Sequence, residues 1–142
     1  MDIARVMGLD IGDRRIGIAL SDLLMITAQG QETYTRGDSA DADAEYLAQF
    51  AKKNNVNKIV CGLPKNMDGS IGEQAIKTQE FAELLKSKTN AEIIFFDERL
   101  STSSAHRTLL QADMSRQKRK KVVDKIASVY ILQAYLDSVK NY

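Results

Sequence analysis

The sequence holds one cysteine, one proline, one histidine and no tryptophan, and each scarcity removes a class of protein. A lone Cys61 forbids an intramolecular disulfide, so the chain is no disulfide-stapled secreted domain. Its setting in Lys58-Ile-Val-Cys-Gly-Leu63 reads as a buried thiol rather than a nucleophile. With His106 the only histidine, placed in a helical stretch, a serine–histidine hydrolase and a zinc centre both lack their ligands. No apolar run approaches the length of a membrane span, and Met1 to Arg5 opens no signal peptide, so the expectation is a soluble cytoplasmic protein without membrane contact. Aromatic residues make up 6% of the chain and form no evident stacking platform.

What is present is a core of one domain's size. The chain has 142 residues, 44% of hydrophobic type, which predicts a single domain over 1–142. Net charge is +1 and argues neither for nor against a polyanion, but its distribution is uneven. Asp38 to Glu45 carries four acids and no base, whereas Arg116 to Lys125 carries six bases and one acid, Asp124. One end of the molecule is therefore expected to be distinctly positive.

Arg5 to Ile11 reads as an apolar strand, Gly12-Asp-Arg14 as a tight turn and Arg15 to Leu20 as the hairpin partner. Thr27 to Thr35 gives a weaker third strand. Asp38 or Ser39 caps a helix running to the breaker pair Asn54-Asn55, and Lys58 to Leu63 is a short buried strand. After the loop Pro64 to Gly72, Ser70 and Glu73 have the spacing of a capping box for a helix burying Phe81, Leu84 and Leu85. Glu92 to Asp97 is another strand, Ser101 or Thr102 caps a third helix, and a last helix spans about Lys118 to Val139. This order predicts an α/β fold with a five-stranded mixed sheet flanked by helices, an antiparallel meander followed by crossover strands parallel to the first.

Functional groups in such sheets gather beyond the carboxyl ends of the parallel strands. Asp10 interrupts an apolar strand near that end, where an unpaired charge costs several kcal/mol. Pairing with Arg14 or Arg15 is its ordinary explanation. Asp97-Glu98-Arg99 follows the last strand, and an acid–base turn is the ordinary explanation there. Asp124 sits on the last helix beside Ala127, Ser128 and Ile131, a small-residue face that would carry it to the same edge. Three carboxylates without clustered His or Cys suit a hard cation, Mg²⁺ or Mn²⁺, and two such ions about 4 Å apart are a device for phosphodiester hydrolysis. The basic run Arg116, Lys118, Arg119, Lys120, Lys121 fits phosphate contacts beside Asp124, although a solvated helix start has the same composition.

Four segments carry a resemblance over essentially the whole chain: Gly8-Leu-Asp-Ile-Gly-Asp-Arg-Arg-Ile-Gly-Ile-Ala19 with Ser21-Asp22, Gly62-Leu-Pro-Lys-Asn-Met-Asp-Gly-Ser70, Asp97-Glu-Arg-Leu-Ser-Thr102, and Ser115 to Ser128. In these the chain resembles the YqgF/RuvX family, pre-16S rRNA nucleases and Holliday-junction-resolvase-like proteins of ribonuclease H-like fold. The resemblance implies that Asp10, Glu98 and Asp124 are the catalytic metal ligands, that Asp97 orients rather than binds, and that Arg14, Lys65, Asn66 and Arg99 face the substrate. Ser128 stands where the family usually has a second alanine. Processing of the 5′ end of pre-16S rRNA is the favoured expectation; resolution of branched DNA by a resolvase is the alternative, with a monomer or homodimer left open. A two-domain ATPase of the actin and sugar-kinase type would explain Asp10-Ile-Gly12 and Gly17, but the chain is too short for it. A non-catalytic RNA-binding factor is the remaining alternative.

If the basic run contacts phosphates, replacing Lys118 to Lys121 by alanine will weaken nucleic-acid binding. It will also flatten the slope of log K against log salt by up to about three on a single strand. An unchanged slope in a salt titration would return the run to a solvated face.

Overall fold

The computed structural model describes residues 4–101 and 116–139, with backbone alone for 116–125. Its sheet is built from β1 (Arg5–Ile11), β2 (Arg15–Ser21), β3 (Ala28–Gly30), β4 (Tyr34–Thr35), β5 (Val56–Leu63) and β6 (Glu92–Asp97). Helices α1 (Ala40–Lys53), α2 (Glu73–Lys86) and α3 (Arg116–Ser138) complete the described elements with a 3₁₀ turn at Glu98–Leu100. The strand order is β3-β2-β1-β5-β6, with β4 also pairing β2. β1 is antiparallel to β2 and parallel to β5, and β5 is parallel to β6. This is the expected mixed sheet.

Period-two alternation divides the core. Met7, Leu9, Ile11, Ile16, Ile18, Ile59 and Cys61 face α1 and α2 together with Leu47, Phe81 and Leu85. Val6, Ala19 and Val60 face Ile131, Leu132, Tyr135 and Leu136 of α3. Because β1 is covered on both sides, its sequence is a nearly continuous apolar run rather than an alternating one. That is what makes the charge at Asp10 conspicuous.

Two local expectations need correction. The strand expected over Thr27 to Thr35 is divided into β3 and β4, giving six strands rather than five. The polar stretch Gln31-Glu-Thr33 has no apolar face to hold it on the sheet, and the chain rejoins β2 only where Tyr34 is anchored to α1 by its hydroxyl. The Ser70–Glu73 capping box does not form. Gly72 is the N-cap of α2 without a side-chain bond, because the Ser70 hydroxyl donates to Asp68 at 2.6 Å and accepts from Asn66 at 2.9 Å. The last helix, expected over about Lys118 to Val139, is described over Arg116–Ser138. The third helix expected after Ser101 or Thr102, with His106, lies outside the described residues. At α1 the choice of caps resolves to Ser39, whose hydroxyl accepts from the Ala42 N–H.

A polar latch unforeseen in the sequence closes one end of the sheet. Asp43, 1% exposed, accepts from the Tyr34 hydroxyl at 2.8 Å, Arg36 Nε at 2.9 Å and the Gly37 N–H at 3.0 Å. Arg36 also donates to the Gly12 carbonyl at 2.9 Å and stacks 4.7 Å from the Phe81 ring centre. Thus α1, α2 and the β1–β2 turn are joined through one guanidinium. Burial opposes ionisation of Asp43, but the bonds from Gly37, Arg36 and Tyr34 prevail and hold its carboxyl below the usual range.

A depressed folded-state pKa means stability present above the unfolded carboxylate value, near 3.9, and lost as pH falls through the lower folded value. Asp43→Asn should therefore cost about 3 kcal/mol at neutral pH, by leaving the partly buried Arg36 without its counter-charge. Urea unfolding from pH 7 to pH 3 should show the gap between the two proteins narrowing in acid. A constant gap would contradict the role given to Asp43.

Candidate active site

Asp10 is the penultimate residue of β1 and 9% exposed. It shares the α3-facing side of the strand with Val6 and Gly8, and its partner across β2 is Gly17. On the other flank, the pairing of Leu9 with Cys61 brings Gly62 of β5 next in line with Asp10. The carboxylate is flanked on both strands by residues without side chains.

The room at Gly62 is used. A Cβ there would lie 2.5 Å from Ile131 Cδ1 and 3.1 Å from Glu98 Cγ. Leu63 pairs with Asp97 at the end of β6, and the chain then turns into the 3₁₀ segment so that Glu98 folds back over Gly62. Neighbouring strands stand about 4.8 Å apart, so the stem of Glu98 lies roughly one strand spacing from the side chain of Asp10. Two acids 88 residues apart in sequence are thereby brought to the same carboxyl edge of the sheet.

The last helix reaches the same place through a second glycine. A Cβ on Gly8 would fall 2.7 Å from Leu132 Cβ and 3.2 Å from the Ser128 carbonyl oxygen, so α3 packs backbone to backbone on β1. Asp124 belongs to α3 one helical turn before Ser128. Its side chain, and those of Arg116, Lys118, Arg119 and Lys120, lie outside the described residues. Among the described residues no three His, Cys, Asp or Glu side chains form a metal-sized group.

Asp97 and Arg99 are engaged with each other. Arg99 donates from Nε and Nη2 to Asp97, the shortest bond 2.7 Å, and its backbone N–H also donates to that carboxylate at 3.0 Å. These bonds outweigh burial and hold Asp97 below its ordinary pKa. Arg99 Nη1 reaches on to the Met67 carbonyl at 3.3 Å. Arg99, which the family resemblance makes substrate-facing, thus also braces the 3₁₀ turn against the 64–72 loop, and its side chain stays 39% exposed. Lys65 forms a bridge with Ile71 at the base of this loop, Asn66 lies in it, and Arg14 is exposed in the hairpin turn. All three border the carboxyl edge where Asp10 and Glu98 lie.

Cys61 is fully buried, and burial pushes its thiol up to about 12, which rules out a thiolate nucleophile. A 450 Å³ cleft lined by Asp13, Arg36, Gln74, Lys77 and Phe81 opens beside Ile11 on the α1–α2 side of the sheet, away from Asp10 and Glu98. No described helix is long and apolar enough to cross a membrane.

Sequence reasoning overlooked Gly8 and Gly62. A glycine inside a strand signals a close approach, but the approaching partner is visible only in three dimensions.

The architecture defines a ribonuclease H-like α/β fold. Its backbone superposes on T. thermophilus RuvC, solved in complex with a Holliday junction substrate, with a TM-score of 0.56 over 95% of this chain and 96% of that one, at 7% identity. At that identity the likeness concerns the fold. The family model described as "RuvX: Holliday junction resolvase" matches residues 4–138. Proteins named "Putative pre-16S rRNA nuclease" from Clostridioides difficile (strain 630) and Clostridium tetani (strain Massachusetts / E88) are 55% and 51% identical. The alignments cover 94% and 96% of this chain and 94% and 99% of theirs. A protein of the same name from Clostridium botulinum (strain Hall / ATCC 3502 / NCTC 13319 / Type A) is 54% identical over 96% of this chain and 99% of its own. The chain belongs to the RuvX family and is a hydrolase acting on the ester bonds of nucleic acid.

Gly62→Ala tests the construction of the site. Ile131 Cδ1 is the free end of a side chain and can move, whereas Glu98 must shift on its short turn. The variant should lose at most about 1–2 kcal/mol of stability in urea but most of its nuclease activity. Full activity would show that Glu98 need not sit over Gly62.

Proposed function

We propose that this chain is a divalent-metal nuclease that processes the 5′ end of pre-16S rRNA in the cytoplasm, acting as one nuclease domain with Asp10, Glu98 and Asp124 as metal ligands. The observation that carries the reading is the meeting of Glu98 with the Asp10 edge over Gly62. Nearly full-length relatives at 51–55% identity bear the corresponding name and support the choice of substrate.

The donor set fits a hard cation. Asp10 and Glu98 offer carboxylate oxygens at one edge of the sheet, with Gly17 and Gly62 beside Asp10 on the neighbouring strands, and the described residues near them include no histidine and no accessible thiol. When bound, Mg²⁺ or Mn²⁺ supplies an activated water and charge for the leaving oxygen. The chain's own contributions are distinct. The sheet holds Asp10 in a fixed, largely dry position, so its charge needs no rearrangement to be used. The 3₁₀ turn, locked by Asp97 and Arg99, holds Glu98. Lys65 and Arg14, with the basic start of α3, provide cations for the flanking phosphates.

Resolution of branched DNA is the second reading, favoured by the description of the matching family model. It requires the same carboxylates and adds a geometric demand, two sites related by symmetry on one junction. A homodimer would meet that demand, while a monomer suffices for trimming RNA.

A labelled pre-16S 5′ leader and a four-way DNA junction, each incubated with Mg²⁺ or Mn²⁺, separate the two. The leader should be cut, and Asp10→Asn, Glu98→Gln or Asp124→Asn should lower the rate on the order of a thousandfold, equivalent to about 4 kcal/mol of transition-state stabilisation. Junction cutting without RNA cutting would select the resolvase. Unimpaired cleavage by the three variants would remove the metal-ligand assignment.

A further inference from the structure

The 64–72 loop contains a side chain that the site described above does not use. Leu63 ends β5 beside Asp97, so the loop rises from the carboxyl edge of the sheet where Asp10 and Glu98 meet. It is a small, heavily braced hairpin. Lys65 bridges Ile71 at its base, the Asn66 N–H donates to the Ser70 carbonyl at 3.0 Å, and the Gly69 N–H donates to the Asn66 carbonyl at 2.9 Å. Met67 and Asp68 therefore occupy the centre of a tight turn.

Its polar side chains are exposed but bonded to one another. Asn66 donates to the Ser70 hydroxyl, Asp68 accepts from the Ser70 hydroxyl and N–H, and Arg99 donates to the Met67 carbonyl from beneath. Gly69, at φ +87°, has a backbone that other residues adopt only with strain, and the Arg99 guanidinium lies 3.5 Å from where a Cβ would be. All this bonding fixes the backbone around Met67, whose side chain is 94% exposed. A loop that merely connected β5 to α2 would have no use for an apolar side chain at its tip or for a salt-bridged arginine holding that tip in place.

The geometry points to Met67 as a base-contacting residue of the nuclease, a flexible thioether presented from a braced backbone at the catalytic edge to pack against the face of an unstacked nucleobase next to the bond being cut. The inference rests on the nuclease reading above and names a contact that reading lacks. Methionine suits the role because its unbranched, polarisable side chain adapts to any base face and serves as an apolar wedge at base steps. The chain offers no aromatic platform in the 64–72 loop. Such a contact tolerates sequence and selects flexible, unpaired substrate. Lys65, at the foot of the same hairpin, supplies the phosphate contact beside it.

The test uses the intact chain in the Asp10→Asn background, so that substrate survives, and a short single-stranded RNA from the pre-16S 5′ leader carrying 2-aminopurine at successive positions. Binding should raise the fluorescence of one position as that base leaves its stack. Adding Met67→Ala should abolish the rise and weaken binding on the order of tenfold, while Met67→Leu restores both. The salt slope should stay the same, because no phosphate contact is removed. With wild-type Asp10 restored, Met67→Ala should raise KM more than it lowers kcat, and the thermal midpoint should not move. Unchanged fluorescence and affinity in Met67→Ala, in a protein that cuts the RNA, would overturn this inference alone. Neither binding nor cleavage of the RNA by the wild-type chain would overturn it together with the nuclease reading.

Discussion

The close packing of α3 on a glycine-floored sheet is the constraint on which the rest depends. At Gly8 the helix backbone comes within 3.2 Å of where a Cβ would be, and at Gly62 Ile131 and Glu98 occupy the space of the missing side chain. Interiors packed to crystal-like density transmit a misfit of one methyl group. The same contacts that bury Ile131 and Leu132 therefore fix how near the helix lies to the edge where the acids meet. Core packing and site geometry are in this respect one problem. Alanine at either glycine would disturb both.

Around that contact the polar groups act as locks. Asp97 and Arg99 fix the turn that carries Glu98 and at the same time brace the 64–72 loop. Asp43 and Arg36 tie α1 to the β1–β2 turn that follows Asp10. Each lock is a charge-assisted, multiply bonded pair, and the Asp43–Arg36 pair, with its carboxylate buried, is the less screened of the two. A nuclease profits from such rigidity, because carboxylates held in position need no reorganisation as charge develops on the phosphate.

Much of this was legible in the sequence. Continuous apolar strands announced a sheet buried on both faces, and the acids at strand ends announced the edge where chemistry would sit. That Asp10 and the Asp97-Glu98 pair lie at one edge follows from the parallel strand order; that Glu98 folds over Gly62 does not. What was illegible depended on partners remote in sequence. Ser70 had the spacing of a helix cap, yet Asp68, two residues away, captured its hydroxyl first. Thr27 to Thr35 had the composition of one strand, yet Tyr34 was drawn to Asp43 and the strand divided. Arg99 could be recognised as important without revealing that its partners would be Asp97 and a loop 32 residues earlier.

The proposed metal ion would bind at the edge where Glu98 folds over Gly62 beside Asp10. Amide NMR during a Mn²⁺ titration tests it most directly, because the ion broadens nearby resonances irrespective of any reaction. Broadening that begins at Asp10, Gly62, Glu98 and Ser128 is the predicted result. Broadening that begins at the other acids, Asp38 to Glu45 or Asp68, and spares Asp10 and Gly62 would contradict it.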